Sequence, residues 1–334
     1  MTRCRATQDC TGLMPGLATK WELSDGGKTL TLQVREGVKF ADGTPMKMSD
    51  VKFSLERAQN PKNGPWNSMV ASIAAVEVSE PATVVLRLHH PDPTLLAALA
   101  MFNTSVLPEA MFASMAGAND DEKGKLFGQK PMGTGAFYVS EWKIGEVMRL
   151  KKNPHYWKQD AAGGQLPYLD EIEFPVIQDD ATRLLKLKAG EAGGAEFVPY
   201  ARVKEMQADP QLDMQLWPST KVTYLQFNCR AEYQGKPNPL ANPKVRQALN
   251  YAVNKQAIIA ITTHGLGKPL SSFMSSVTPM HTGSGAVYPY DPAKAKALLA
   301  EAEVKGLEFS CHAQAGNQDD QNNLTTIQQM LAQV

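Results

Sequence analysis

Strand-type and helix-type hydrophobic patterns alternate along this chain, and this interleaving limits the folds that it can adopt. Thr29–Val34 alternates with period two, which is typical of a half-buried strand, and Ser49 is a candidate N-cap for a helix through Arg57. Val222–Asn228 is rich in β-branched and aromatic residues and predicts another strand, whereas Val245–Ile261 has the apolar spacing of a long helix. Interleaved strands and helices predict a mixed α/β protein.

The remaining elements follow from shorter patterns of the same kind. Val76–Val78 and Thr83–Leu88 predict a hairpin around Glu80-Pro81. Further predicted strands are Phe137–Ser140, Val147–Lys151 and Glu171–Ile177, the first two joined by a turn at Ile144-Gly145-Glu146. Further predicted helices are Leu95–Met101, Asp180–Lys188 ending at Gly190, Pro292–Glu303 and Thr325–Val334. The polar stretch Ala116–Lys125 predicts an exposed loop.

The length and the charge of the chain exclude several classes of protein. Its 334 residues exceed the roughly 250–300 at which a single core stops growing, so at least two lobes are expected. Lys plus Arg equals Asp plus Glu at 34 each, without a dense basic cluster, which argues against a nucleic-acid partner. A membrane span needs about 20 consecutive apolar residues, and the apolar runs here are far shorter. The four cysteines contain no CxxC pair and indicate neither a zinc ribbon nor a redox site.

The sequence lacks the common catalytic motifs: a GxSxG elbow, an HExxH pair and a GxxxxGK[ST] loop. Three short patterns each have a functional and a structural interpretation. Gly133-Thr134-Gly135 is a phosphate cradle or a turn before a strand, His89-His90 is a metal pair or two surface histidines, and Asp179-Asp180 is an acid–base pair or a helix N-cap. The structural interpretation is favoured in each case. We therefore expect a protein that is not an enzyme, with no catalytic residue, no cofactor and no metal site.

Seven blocks along the chain match a known pattern in the correct order. The first, Leu17–Arg57, contains a Trp-Glu pair, the run REGVKF, the turn DGTP and the helix start DVKFS. The other six are Pro131–Trp142 (PMGTGAFYVSEW), Leu150–Trp157 (LKKNPHYW), Tyr168–Ile172 (YLDEI), Lys188–Glu191 (KAGE), Asn242–Lys255 (NPKVRQALNYAVNK) and Tyr290–Ala302 (YDPAKAKALLAEA). Together they resemble the extracellular solute-binding proteins of family 5, which are the dipeptide, oligopeptide and nickel binding proteins of bacterial ABC importers.

The resemblance implies a periplasmic-binding-protein-like α/β fold of type II with three lobes. In this chain, 15–133 would form the family's second lobe, 134–254 part of the first lobe, and 255–334 an incomplete third lobe, after an atypical segment at 1–14. Family members are longer and exported, whereas no signal-peptide pattern occurs here. The sequence therefore predicts a fragment of a periplasmic or extracytoplasmic protein.

The resemblance also implies a function. Such proteins capture peptide-like ligands between two lobes by hinge closure and deliver them to an ABC permease at the membrane, without catalysis. The complete protein is expected to be a monomer. A ligand-sensing or partner-binding protein built on the same fold, and a truncated remnant without function, are the alternative interpretations.

A binding strand is implied as well, at Trp217–Asn228, whose backbone would pair with a peptide-like main chain. The candidate ligand-binding residues are Trp217, Val222, Thr223, Tyr224 and Asn228, with Phe102 and Asn103 as further candidates. The alternative for Tyr224 is a buried strand residue without a role in binding.

Overall fold

Antiparallel sheets organise the first of two compact units, Met1–Ile177 and Gln178–Val334, in the computed structural model. The structure describes residues 3–4, 12–278, 281–313 and 318–334. The predicted lobe boundaries at 14/15, 133/134 and 254/255 stay predictions. The strands of the first unit are β1 (Arg3–Cys4), β2 (Leu13–Met14), β3 (Ala18–Ser24), β4 (Thr29–Val34), β5 (Ile73–Ser79), β6 (Thr83–Leu88), β7 (Phe137–Lys143), β8 (Val147–Lys152) and β9 (Glu171–Pro175).

The largest sheet of this unit has the strand order β3-β4-β6-β5, with every pair antiparallel. The alternation predicted for β4 is present, because Leu30, Leu32 and Val34 are buried while Gln33 is exposed. β5 and β6 form the predicted hairpin. Their buried side chains join those of β4 in one hydrophobic core.

Four α-helices lie between β4 and β7 in the chain order, and the first two contribute side chains to this core. They are α1 (Met48–Gln59), α2 (Leu95–Ala98), α3 (Glu109–Ala113) and α4 (Asp120–Gln129). Val51 and Leu55, one turn apart on α1, are fully buried in the core. The second sheet has the order β7-β8-β9, and the predicted turn joins β7 to β8 with Gly145 at a φ of 81°.

Several predictions for this unit are wrong in detail; the strand predicted at Glu171–Ile177, for example, ends at Pro175. Ser49 is not the N-cap of α1: Lys47 caps it, and the Lys47 backbone N–H donates to Asp50 Oδ2 at 2.7 Å. The helix predicted at Leu95–Met101 ends at Ala98. The loop predicted at Ala116–Lys125 contains the start of α4, because Asn119 accepts from the Glu122 backbone N–H at 3.0 Å and three acidic residues stabilise the first turn.

Helices are the main regular elements of the second unit within its described residues. Its elements are α5 (Asp180–Lys188), α6 (Val203–Ala208), β10 (Glu232–Tyr233), β11 (Lys236–Pro237), α7 (Pro243–Ala252), α8 (Lys255–Thr262), α9 (Pro292–Glu301) and α10 (Gln318–Leu331). Short 3-10 helices lie at Asp25–Gly27, Pro61–Asn63, Pro65–Val70, Phe102–Thr104, Tyr200–Arg202 and Pro239–Ala241 of the chain. α7 packs on α9, and Ala248, Ala252 and Ala295 let their backbones approach closely.

The prediction of a strand at Val222–Asn228 is wrong. A strand requires a hydrogen-bonded neighbour, and the structure assigns no such pairing to this segment within the described residues. The segment is fixed by side-chain packing instead. Phe227 packs on a core formed by Leu240, Val245 and Leu249.

The helix predicted over Val245–Ile261 is two helices. α7 ends at Ala252, and Asn254 is the N-cap of α8, where its side-chain oxygen accepts from the Ala257 backbone N–H at 3.0 Å. The helix predicted at Pro292–Glu303 ends at Glu301, since Glu303 has a φ of 56°. The helix predicted at Thr325–Val334 begins earlier, at Gln318, and ends at Leu331.

Candidate functional site

Two aromatic side chains form an exposed pair on the second unit, on the segment predicted to line the cleft and on a later loop. The rings of Tyr224 and Phe273 pack edge to face, with centroids 4.9 Å apart and planes at 66°. Their residues are 54% and 70% exposed. The prediction that Tyr224 binds ligand stays a prediction, but the alternative of a buried Tyr224 does not hold. Exposed aromatic rings of this kind can stack on a planar amide or cover an apolar ligand group.

The loop that carries Phe273 is tied to the same segment by a hydrogen bond. The buried Ser275 donates through Oγ to the Ser219 carbonyl at 2.7 Å. This bond and the aromatic pair hold residues 271–278 against residues 217–228. Neither Phe273 nor Ser275 was predicted as a site residue, because their contacts join segments that no local sequence pattern connects.

The other predicted residues of this segment differ in accessibility. Trp217, Thr223 and Asn228 are exposed, whereas Val222 is half-buried. The Asn228 carbonyl accepts from Asn238 Nδ2 at 2.8 Å, and its side-chain oxygen accepts from the Arg230 backbone N–H at 3.1 Å. Asn228 therefore uses these groups to fix the turn after the segment. The outward-facing side chains left for a ligand are those of Trp217, Thr223 and Tyr224.

Phe102 and Asn103 lie in the first unit, where they form a small site with Trp66. Phe102 is 68% exposed and packs edge to face on the Trp66 ring, with centroids 5.5 Å apart. Asn103 Nδ2 donates to the Trp66 carbonyl at 3.3 Å. The Asn103 side-chain oxygen is shielded and has no hydrogen-bond partner among the described residues. Because this oxygen is shielded, the exposed ring of Phe102 is the part of this group that a ligand can contact.

A cavity of about 250 Å³ adjoins the loop that carries Phe273. Its polar lining comes from Asn250, Lys255, Ser271, Ser272 and Tyr288, and its apolar lining from Pro269, Leu270, Ala286 and Val287. Ser271 and Ser272 immediately precede Phe273 in the sequence, so the cavity and the aromatic pair share one loop. The sequence patterns did not point to this cavity.

Lys255 is the charged group of the cavity. Its Nζ lies 3.4 Å from the Tyr288 carbonyl and 3.5 Å from the Asn250 carbonyl, both at the outer limit of hydrogen bonding. Among the described residues, no carboxylate forms an ion pair with it. Partial burial lowers the pKa of the Lys255 ammonium below its usual range.

The three short patterns that had a functional and a structural interpretation make contacts of a structural kind. The Asp179 side chain accepts from the Thr182 backbone N–H at 2.7 Å and caps α5, as the N-cap interpretation predicts. β7, and not a helix, follows Gly135, whose carbonyl accepts from Asn153 Nδ2 at 2.8 Å. His90 Nδ1 lies 3.2 Å from the Pro91 carbonyl.

Over residues 3–4, 12–278, 281–313 and 318–334, no helix is long and apolar enough to cross a bilayer.

Known structures resemble this fold over nearly its whole length. The periplasmic binding protein AgaA from A. tumefaciens R10, solved with agropinic acid, superposes with a TM-score of 0.77 at 29% identity, covering 99% of this chain and 64% of AgaA. The oligopeptide-binding protein AppA from Bacillus subtilis, solved with a nonapeptide, gives a TM-score of 0.79 at 23% identity, covering 99% of this chain and 66% of AppA. These similarities confirm the predicted periplasmic-binding-protein-like α/β class.

Sequence comparison gives the same result. The glutathione-binding protein GsiB of Salmonella typhi is 33% identical over 321 residues, which are 95% of this chain and 59% of GsiB. The chain thus spans about three fifths of the length of the curated relatives that it matches. The model of the bacterial extracellular solute-binding proteins, family 5 middle, matches residues 12–334. The chain belongs to the bacterial extracellular solute-binding proteins of family 5.

Proposed function

We propose that this chain acts in a solute-binding component of an ABC importer, which captures a small peptide-like ligand and delivers it to the permease without catalysis. The observation that carries the proposal is the exposed Tyr224–Phe273 pair, in which Tyr224 lies on the segment predicted to line the cleft. A pair of aromatic side chains with free faces gives a ligand apolar contact at low entropic cost. The family match supports the binding role.

The class of ligand is a peptide or a peptide-like acid. The relatives named above are described with glutathione, a nonapeptide and agropinic acid. Glutathione is a tripeptide, and it is the first probe to test because GsiB has the highest identity among these three relatives. Thr223 and Tyr224 would offer backbone groups to such a ligand, since the structure assigns no strand pairing to their segment.

The proposed mechanism is closure of lobes around the ligand. In this account 15–133 supplies the second lobe, 134–254 part of the first and 255–334 part of the third, and the free energy of ligand binding stabilises the closed form that docks on a permease. The family's extracellular description supports an extracytoplasmic location. No covalent step is part of the proposal.

Isothermal titration of the 334-residue chain with glutathione, and with dipeptides and oligopeptides, tests the function directly. Ligand-observed NMR extends the measurement to weak affinities. We expect saturable binding of glutathione or of a peptide, and recovery of the ligand unchanged by mass spectrometry after incubation. Absence of binding to every compound, or specific turnover of one of them, would contradict the proposal.

A further inference from the structure

The Lys255 cavity contains a cation that its protein contacts satisfy only in part. An ammonium group has three donors, and the two carbonyls within reach of Lys255 Nζ lie at 3.4 Å and 3.5 Å. The described part of the chain provides no carboxylate to pair with it. Removing a charge from water is costly, and pairing with an opposite charge offsets this cost. The ammonium therefore retains capacity for an anion that enters from outside.

Two hydroxyl groups beside the ammonium can complete a site for such an anion. Ser271 Oγ lies 3.5 Å from the Gly283 carbonyl. Ser272 Oγ lies 3.3 Å from the Met274 carbonyl and 3.5 Å from His281 Nδ1, and it accepts from the Met274 backbone N–H at 3.3 Å. Bonds of this length are weak, so either hydroxyl can turn towards a ligand. Asn250 is less available, because its Nδ2 already donates to the Arg246 carbonyl at 3.0 Å.

The remaining walls suit the carbon atoms next to a carboxylate. Leu270 and Val287 face the cavity, and its volume of about 250 Å³ is small. The backbone at Gly285 approaches the Ser271 carbonyl oxygen so closely that a Cβ at this position would collide with it, so only glycine fits there. One cation with two hydroxyls matches a singly charged carboxylate, whereas phosphate sites usually combine several cations or backbone N–H groups.

One loop connects the cavity to the aromatic pair. Ser271 and Ser272 continue directly into Phe273, whose ring packs on Tyr224. We infer that the cavity is a carboxylate-binding subsite, in which Lys255 with Ser271 and Ser272 holds an acidic group of a peptide-like ligand lying along the Tyr224–Phe273 pair. This inference rests on the proposed function and specifies its ligand as an acid.

Comparison of glutathione with its diethyl ester, in which both carboxylates are blocked, tests the subsite. The wild-type chain should bind glutathione at least about tenfold more tightly than the ester, since a hydrogen bond to a charged group is worth about that factor. Lys255→Gln should remove most of this preference, while Lys255→Arg should retain part of it. Lys268→Gln is the matched control: it removes the same charge from an exposed residue outside the cavity lining and should leave the preference unchanged.

The possible outcomes separate this inference from the proposed function. If the wild type binds glutathione and Lys255→Gln shows the same preference over the ester, the subsite is wrong and the proposed function stands. If the wild type binds neither glutathione nor any peptide, both are wrong. Thermal unfolding of every variant shows whether Lys255→Gln remains folded, and Ser271→Ala with Ser272→Ala provides a second test that leaves the lysine in place. Unchanged preference in that double variant would also contradict the subsite as described.

Discussion

The guanidinium of Arg35 lies over the ring of Trp157, with Cζ 4.1 Å from the ring centroid. The two residues belong to separate sequence blocks, REGVKF and LKKNPHYW, and the contact joins these blocks in the first unit. Arg35 Nε is shielded and has no hydrogen-bond partner among the described residues, so the ring is its main neighbour on that side. Both blocks therefore contribute to the fold of the first unit.

Disrupting the Arg35–Trp157 contact should lower stability and leave ligand binding unchanged. Arg35→Gln, which removes the cation, and Trp157→Leu should each lower the free energy of unfolding, with a coupling of about 0.5–2 kcal/mol in the double-mutant cycle. Urea unfolding followed by circular dichroism measures it. Arg87→Gln is the control, because Arg87 hydrogen-bonds to Glu77 and Thr29 at an exposed position. Additive effects of the two substitutions would refute the coupling.

In the first unit, replacing two leucines on neighbouring strands should cost very different amounts of unfolding free energy. Leu32 on β4 is fully buried, whereas Leu23 on β3 is 50% exposed. Leu32→Ala should lower the free energy of unfolding by about 2–5 kcal/mol, since it leaves a cavity in a packed core. Leu23→Ala should cost less than about 1 kcal/mol. Similar losses for both variants in denaturant titrations would contradict the difference in burial between the two side chains.

The cap of α5 predicts a dependence of stability on pH. Two hydrogen bonds lower the pKa of Asp179 in the folded state. The larger effect comes from the Thr182 hydroxyl and the smaller one from the Thr182 backbone N–H. A carboxylate whose folded pKa is lowered stabilises the fold above its unfolded pKa of about 3.9, and this contribution is lost as the pH falls through the folded pKa. The stability difference between wild type and Asp179→Ala should therefore shrink as the pH falls below about 4.

Thermal unfolding of both proteins from neutral to acid pH measures this difference. Thr182→Val, which removes the hydroxyl donor and keeps the backbone N–H, should show an intermediate dependence. A difference between wild type and Asp179→Ala that stays constant over the whole acid range would contradict the cap as the source.

Elements fixed by local interactions could be predicted from the sequence with accurate bounds. β4 and β6 have their predicted ranges, Thr29–Val34 and Thr83–Leu88, because alternation and turn residues specify them locally. α5 also has its predicted range, with its cap at Asp179. The break at Val253–Asn254 was missed because the apolar spacing of α7 continues into α8, although Asn254 is a recognisable cap residue.

Features that depend on distant segments could not be predicted. Val222–Asn228 has strand composition, but composition does not specify a hydrogen-bonded neighbour. In the candidate site, likewise, some residues could be predicted and others depend on contacts between distant segments. Tyr224 followed from the family resemblance, whereas Phe273 and Lys255 are brought to its neighbourhood and to the cavity by folding of the second unit.

The central claim is that the Tyr224–Phe273 pair lines the ligand-binding surface, and titration of glutathione into Tyr224→Ala tests it most directly. Removing the ring deletes an exposed contact without opening the core, so the variant should stay folded. We expect its affinity to fall by about tenfold or more relative to wild type, while His89→Ala, on the first unit, binds as the wild type does. Equal affinities of wild type and Tyr224→Ala would contradict the account.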